Sequence, residues 1–155
     1  MSKVTLNNPV PDFELPSTGD KNISLSSLRG ENVLIYFYPK DSTPGCTLEG
    51  QQFRDHIAEF EQLNTVILGV SRDSIKKHEN FKSKQCFPFD LLSDEEETVC
   101  NLFGVIQLKK LYGREYMGIV RSTFLIDEQG VLREEWRGVK VKGHVEEVLT
   151  AIKSI

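Results

Sequence analysis

The run Val33-Leu34-Ile35-Tyr36-Phe37-Tyr38 is apolar at every position and stops at Pro39. A strand with one wet face alternates apolar and polar residues, so an unbroken run marks a strand covered on both faces. It is far too short to span a bilayer. A chain built around such a strand has to place other elements on both sides of a sheet. Val66 to Val70 and Ser122 to Ile126 read as two further buried strands, and Leu91-Leu92 ends a shorter one.

Helical stretches alternate with these strands. Phe53, Ile57 and Phe60 make one apolar face, Ser74 to Gln85 is a polar helix with Ile75 and Phe81 inward, and Glu95 to Phe103 is a short helix. Val145, Val148, Leu149 and Ile152 form the stripe of a last helix. The turn Glu128-Gln129-Gly130 sends the third core strand into an antiparallel neighbour, Val131 to Trp136. Upstream, Phe13 to Leu15 and Ile23 to Leu25 flank a turn and predict an N-terminal hairpin. Residues 104–118 read as irregular. The fold class expected is α/β, a central mixed sheet flanked by helices, in one domain over residues 1–155. A thioredoxin-like arrangement is compatible with that order, which does not single it out.

Composition excludes several functions. The formal net charge of −4 lacks the basic surface that nucleic acid requires. No apolar run suggests a membrane partner. No basic segment followed by a long apolar one opens the chain, so the expected compartment is the cytoplasm. Cys46, Cys86 and Cys100 are too few for a disulfide scaffold, and any disulfide there is expected to be catalytic or sensing. Neither they nor His56, His78 and His144 have metal-ligand spacing, and no Gly-rich phosphate loop occurs, so no cofactor is implied. The three histidines are expected on solvated helix faces, and Cys100 as a small buried hydrophobe.

The chemistry gathers where the first core strand ends, in Tyr38-Pro39-Lys40-Asp41-Ser42-Thr43-Pro44-Gly45-Cys46-Thr47-Leu48-Glu49. Ser42 or Thr43 can cap a helix, and Pro44 suits its first position. Cys46 then falls in the first turn, where free backbone N–H groups and the helix dipole favour a thiolate. A free cysteine titrates at about 8.5, so ionisation near neutrality needs such help. The Thr43 hydroxyl, three residues away, could reach the sulfur or a bound oxygen. The same pattern also fits an inert capped helix with a buried thiol.

The spacing Pro39, Thr43, Cys46 resembles the peroxiredoxins. The tighter strings Tyr36-Phe37-Tyr38-Pro39-Lys40 and Thr43-Pro44-Gly45-Cys46-Thr47 resemble the bacterioferritin comigratory protein, or PrxQ, subfamily. Leu91-Leu92-Ser93-Asp94, Phe103-Gly104-Val105 and the stretch from Gly118 to Asp127 agree with it. The resemblance implies a thioredoxin-like fold and a thiol-dependent peroxidase. Cys46 attacks a hydroperoxide and becomes a sulfenic acid. Arg121 supplies fixed positive charge, Thr43 holds the peroxide oxygens, Pro39 shields the sulfur, and Glu49 orients Arg121. It also implies recycling by thioredoxin or a similar thiol, and a monomer.

One departure bears on recycling. The subfamily often resolves with a cysteine five residues after the reactive one, or about 36 residues after it. Those positions hold Gln51 and Lys82. Cys86, near the end of the same helix, is the remaining candidate for a resolving thiol. Either Cys46 works alone with an external thiol, which the missing partners favour, or Cys86 attacks the sulfenic acid. Two rival readings stay open: a thiol–disulfide oxidoreductase, weakened because Glu49 stands where Cys-x-x-Cys needs a second cysteine, and a peroxide sensor or holdase.

Overall fold

The computed structural model describes residues 2–155. Seven strands form one mixed sheet, and two form a separate hairpin. β1 (Glu14–Ser17) and β2 (Lys21–Ser24) are the expected N-terminal hairpin, joined to the sheet edge where Ser17 pairs with Leu92. β3 (Asn32–Phe37) is buried at every residue. β4 (Thr65–Ser71) and β5 (Asp90–Ser93) run parallel to it in sequence, while β8 (Ser122–Ile126) lies antiparallel on its other side. β9 (Leu132–Arg137) closes that edge antiparallel to β8.

The reason for the unbroken run in β3 is plain from its contacts. Val33, Ile35 and Phe37 enter a core with Leu68, Val70, Phe103, Phe124 and Ile126. Leu34, Tyr36 and Tyr38 enter a second core on the opposite face with Phe53, Phe60, Phe81, Leu125 and Val148. Neither parity of the strand meets water.

α1 (Pro44–Asp55) and α2 (Ile57–Gln62) follow β3. The expected face of Phe53, Ile57 and Phe60 spans both, broken at His56, whose ring nitrogen lies 2.8 Å from the Gln52 carbonyl. Phe53 and Phe60 stay buried through the break. α3 (Ile75–Gln85) starts at Ser74, whose hydroxyl accepts from the Lys77 amide, and ends at Cys86 in the left-handed region. α4 (Thr98–Leu102) is shorter than expected, because residues 94–97 form a turn in which the Asp94 carboxylate accepts from the Val99 and Cys100 amides. α5 (His144–Lys153) buries Val145, Val148, Leu149 and Ile152 as the stripe requires. Among the described residues no helix is long and apolar enough to cross a membrane.

One expectation fails outright. Residues 104–118 are not irregular: β6 (Ile106–Leu111) and β7 (Arg114–Ile119) pair antiparallel over their whole length. The two-residue turn Tyr112-Gly113 has positive φ at both positions, 51° and 76°, the geometry that suits hairpin twist. Tyr at the first turn position hid that signal, since Asn or Asp usually stands there. The strands bury only their base, so their sequence carries little apolar patterning.

Candidate active site

β3 delivers the chain to a loop, and the loop turns into α1. Thr43 precedes the helix in extended conformation, with φ −87° and ψ 155°. Thr47 is the first residue to bond back within the helix, to the Thr43 carbonyl at 2.9 Å. The amides of Gly45 and Cys46 therefore lie ahead of the intrahelical ladder, at the positive end of the dipole. Cys46 is buried, 2% exposed.

Arg121 reaches this thiol from the residue just before β8. Its Nη2 lies 3.4 Å from Cys46 Sγ, and its Nη1 donates to Glu49 Oε1 at 2.7 Å. Glu49 is one helical turn beyond Cys46 on the same buried face, so one guanidinium spans both. Burial opposes the charge on Arg121, but Glu49 and Cys46 outweigh it and hold the guanidinium more firmly protonated. Burial pushes the Glu49 carboxyl up to about 7, against the pull of Arg121. Its second oxygen, Oε2, is buried without a hydrogen-bond partner among the described residues. A carboxyl left half-satisfied in this way holds its proton more readily than a solvated one.

Gly45 matters because of this arginine. A Cβ there would stand 3.1 Å from Arg121 Nη2. The residue is in ordinary helical conformation, so its smallness serves the approach of the guanidinium and not the backbone.

Thr43 is beside the site, with a different partner from the one expected. Its hydroxyl donates to the Lys40 carbonyl at 2.8 Å and not to Cys46. Its lone pairs remain available as acceptors. Pro39 is half-buried at the end of β3. The hairpin of β6 and β7 lies within electrostatic reach: partial burial, then the charge of Arg121, pushes Lys109 of β6 down.

The other two cysteines differ sharply. Cys100 is fully buried, and burial followed by the charge of Asp94 pushes its thiol well up, as suits an inert small hydrophobe. Cys86 is exposed at the end of α3, with φ 56°. The two positions without the expected cysteines are otherwise engaged. Gln51 donates to Gln85 Oε1 at 2.9 Å, and Lys82 pairs with Asp90 at 2.8 Å.

The expectation for the histidines is corrected. His78 is 0% exposed and His144 3%. His78 contacts Asp41 and the Leu92 carbonyl, and His144 Nε2 lies 2.8 Å from the Thr123 hydroxyl. Burial, then the charge of Arg121, pushes His144 down to about 4. Their spacing held the signal: His78 falls between Ile75 and Phe81 at intervals of three, and His144 lies four before Val148. His56 alone is partly exposed. Asp41, Gly45 and His78 are the residues of this region that reading the sequence overlooked.

The family model described as AhpC/TSA matches residues 6–135. Peroxiredoxin Bcp of Bacillus subtilis is 49% identical over 152 residues, 98% of this chain and 97% of that protein. Peroxiredoxin Bcp of Xanthomonas campestris is 47% identical over 156 residues, covering 99% and 98%. A solved structure bearing on the alkyl peroxide reduction activity of Xanthomonas campestris bacterioferritin comigratory protein superposes with a TM-score of 0.88 at 47% identity, over 92% of this chain and 90% of that one. A mutant of Xylella fastidiosa PrxQ superposes at 0.93 with 41% identity, over 99% and 98%.

Proposed function

This chain belongs to the AhpC/TSA family of peroxiredoxins and is a thiol-dependent peroxidase with a thioredoxin-like fold; from that premise we propose that Cys46 is the thiol that meets the peroxide. The observation that carries this reading is the buried Cys46 sulfur 3.4 Å from Arg121 Nη2, at the start of α1.

The steps follow from the geometry. Arg121 and the first-turn amides favour the Cys46 thiolate. A hydroperoxide enters with its terminal oxygen toward the sulfur. The thiolate attacks that oxygen, the S–O bond forms, and the O–O bond breaks with its electron pair leaving on the distal oxygen. Cys46 becomes a sulfenic acid, and the departing alkoxide or hydroxide takes a proton to leave as alcohol or water. Arg121 Nη2 and the amides of Gly45 and Cys46 face the charge that builds on the leaving oxygen. The lone pairs of Thr43 Oγ1 accept from the hydroperoxide O–H and hold it in line. Glu49 fixes the guanidinium plane, and Pro39 covers the sulfur side of the loop.

Hydrogen peroxide and alkyl hydroperoxides fit this scheme, since nothing in it reads the group beyond the O–O bond. An external thiol such as thioredoxin then condenses with the sulfenic acid, releasing water, and a second thiol restores Cys46. The protein acts as a monomer in the cytoplasm on this reading. A second route is favoured by the exposure of Cys86 and its left-handed φ of 56°, which strains the end of α3. There Cys86 attacks the sulfenic acid, and the disulfide needs local unwinding to bring the two Cα atoms within roughly 7 Å.

Non-reducing mass spectrometry of peroxide-treated protein separates the routes. The one-cysteine reading predicts a single modified Cys46 and unchanged thiol-dependent turnover in Cys86→Ser. A Cys46–Cys86 linkage in wild type, with turnover lost in Cys86→Ser, contradicts it.

A further inference from the structure

Asp41 stands five residues before Cys46, in the loop that feeds α1. Its amide and both carboxylate oxygens are engaged. Its amide donates to Asp73 Oδ2 at 2.9 Å, and its Oδ1 accepts from the Tyr38 hydroxyl at 2.5 Å. Its Oδ2 lies 2.7 Å from His78 Nδ1. His78 belongs to α3, and its other ring nitrogen, Nε2, lies 2.8 Å from the Leu92 carbonyl oxygen on β5. One imidazole thus links the loop, a helix and a strand.

The stereochemistry fixes where the protons are. A carbonyl oxygen only accepts, so Nε2 carries a hydrogen. Nδ1 faces a carboxylate oxygen at hydrogen-bond distance, and two lone pairs cannot share that space without repulsion. One proton therefore lies between Nδ1 and Oδ2, as imidazolium with carboxylate or as imidazole with carboxylic acid. Both forms are neutral overall, which suits a site from which water is excluded.

The surrounding groups keep this arrangement. The residue after β3 is Tyr38, whose hydroxyl donates to Asp41. The loop after β4 contributes Asp73, which accepts from Ser71 Oγ at 2.6 Å as well as from the Asp41 amide. β5 contributes the Leu92 carbonyl, and the neighbouring Ser93 hydroxyl donates to the Asp73 carbonyl at 2.6 Å.

We propose that His78 is a positioning residue for Cys46: through its hydrogen bond to Asp41, it pins the loop whose course sets the first turn of α1 and its thiol. The bridge acts on the reaction through that loop and touches no reacting atom. The inference rests on Cys46 being the thiol that meets the peroxide.

Two substitutions of Asp41 and one spectrum test it. In Asp41→Asn the amide nitrogen donates to a neutral His78 Nδ1, and the amide oxygen still accepts from Tyr38, so the link survives without the shared proton. Asp41→Ala removes the link. The rate of Cys46 oxidation by hydrogen peroxide is read per folded protein, with near-ultraviolet circular dichroism setting the folded fraction. Asp41→Asn is expected within about threefold of wild type and Asp41→Ala at least about tenfold slower. Nitrogen-15 spectra of His78 are expected to show Nε2 protonated in both wild type and Asp41→Asn, with Nδ1 turning into a bare acceptor in the variant. An Asp41→Ala rate equal to wild type, a folded Asp41→Asn as slow as Asp41→Ala, or an unprotonated Nε2 in wild type overturns the proposal. So does an Asp41→Ala chain that cannot fold, since the link would then hold the whole fold and not the loop. Wild-type oxidation no faster than free cysteine would sink the peroxidase role of Cys46 instead, and the spectra would still decide the bridge.

Discussion

Arg121 brings Nη2 to within 3.4 Å of Cys46 Sγ across 75 residues of sequence. The same guanidinium is held by Glu49 at 2.7 Å, so the charge facing the sulfur is placed by a group on the cysteine's own helix. That coupling makes the thiol sensitive to changes that never touch it.

Gly45→Ala is the mildest such change. The new Cβ would crowd Nη2, the far end of a flexible side chain. The guanidinium shifts by a few tenths of an ångström, while alanine improves the helix by up to about 1 kcal/mol. Stopped-flow oxidation of Cys46 should slow about five- to tenfold. Thermal melting should be unchanged or raised. An unaltered rate would show that the close approach of Arg121 is not needed.

Glu49 sets a pH trend in stability. Its carboxyl titrates at about 7 in the folded chain against 4.5 in the reference state. Between those values the folded state binds more proton than the unfolded one, so its contribution is full below pH 4.5 and is lost as pH rises toward 7. The whole span is about 3 kcal/mol. Denaturant midpoints measured across that window should fall with pH in wild type relative to Glu49→Gln. Parallel curves would contradict the burial argument. Above pH 7, where Glu49 is ionised, the same variant should slow peroxide reaction about tenfold, because a neutral amide holds Arg121 less firmly than a carboxylate.

His144 imposes the opposite trend. It titrates at about 4 when folded against 6.5 in the reference state. Its contribution is present above 6.5 and is lost as pH falls toward 4, to a limit of about 3 kcal/mol. His144→Gln should therefore lose less stability than wild type on acidification from pH 6.5 to 4.5. Over that interval Glu49 and His144 offset each other in wild type. A flat wild-type profile that tilts one way in Glu49→Gln and the other way in His144→Gln is the expected pattern. Tilts of the same sign would refute it.

The fold was legible where physical demands were simple. β3, β4 and β8 lie between two cores, so Val33 to Tyr38 reads as an unbroken apolar run and Val66 to Val70 and Phe124 to Ile126 as shorter ones. α5 packs one stripe and shows the matching period. The β6–β7 hairpin was missed because it buries little beyond its base and turns at Tyr112-Gly113. At the site, Cys46 could be found from its helix start, and Arg121 and Glu49 only through a family resemblance. No local pattern tells a strand-end arginine that it will meet a thiol 75 residues away. His78 and Asp41 escaped because a histidine and an aspartate read as solvated until tertiary contacts remove the water. The bond of Thr43 to Lys40 is a loop property with no sequence signature.

The central claim is that Cys46 is the thiol that reduces peroxide, armed by Arg121. The most direct measurement is the rate of Cys46 oxidation by hydrogen peroxide in a Cys86→Ser chain, with and without Arg121→Gln. The account predicts sulfenic acid on Cys46 alone, formed far faster than on free cysteine and slowed about a hundredfold or more by Arg121→Gln. Oxidation at the rate of free cysteine, or a rate indifferent to Arg121, would contradict it.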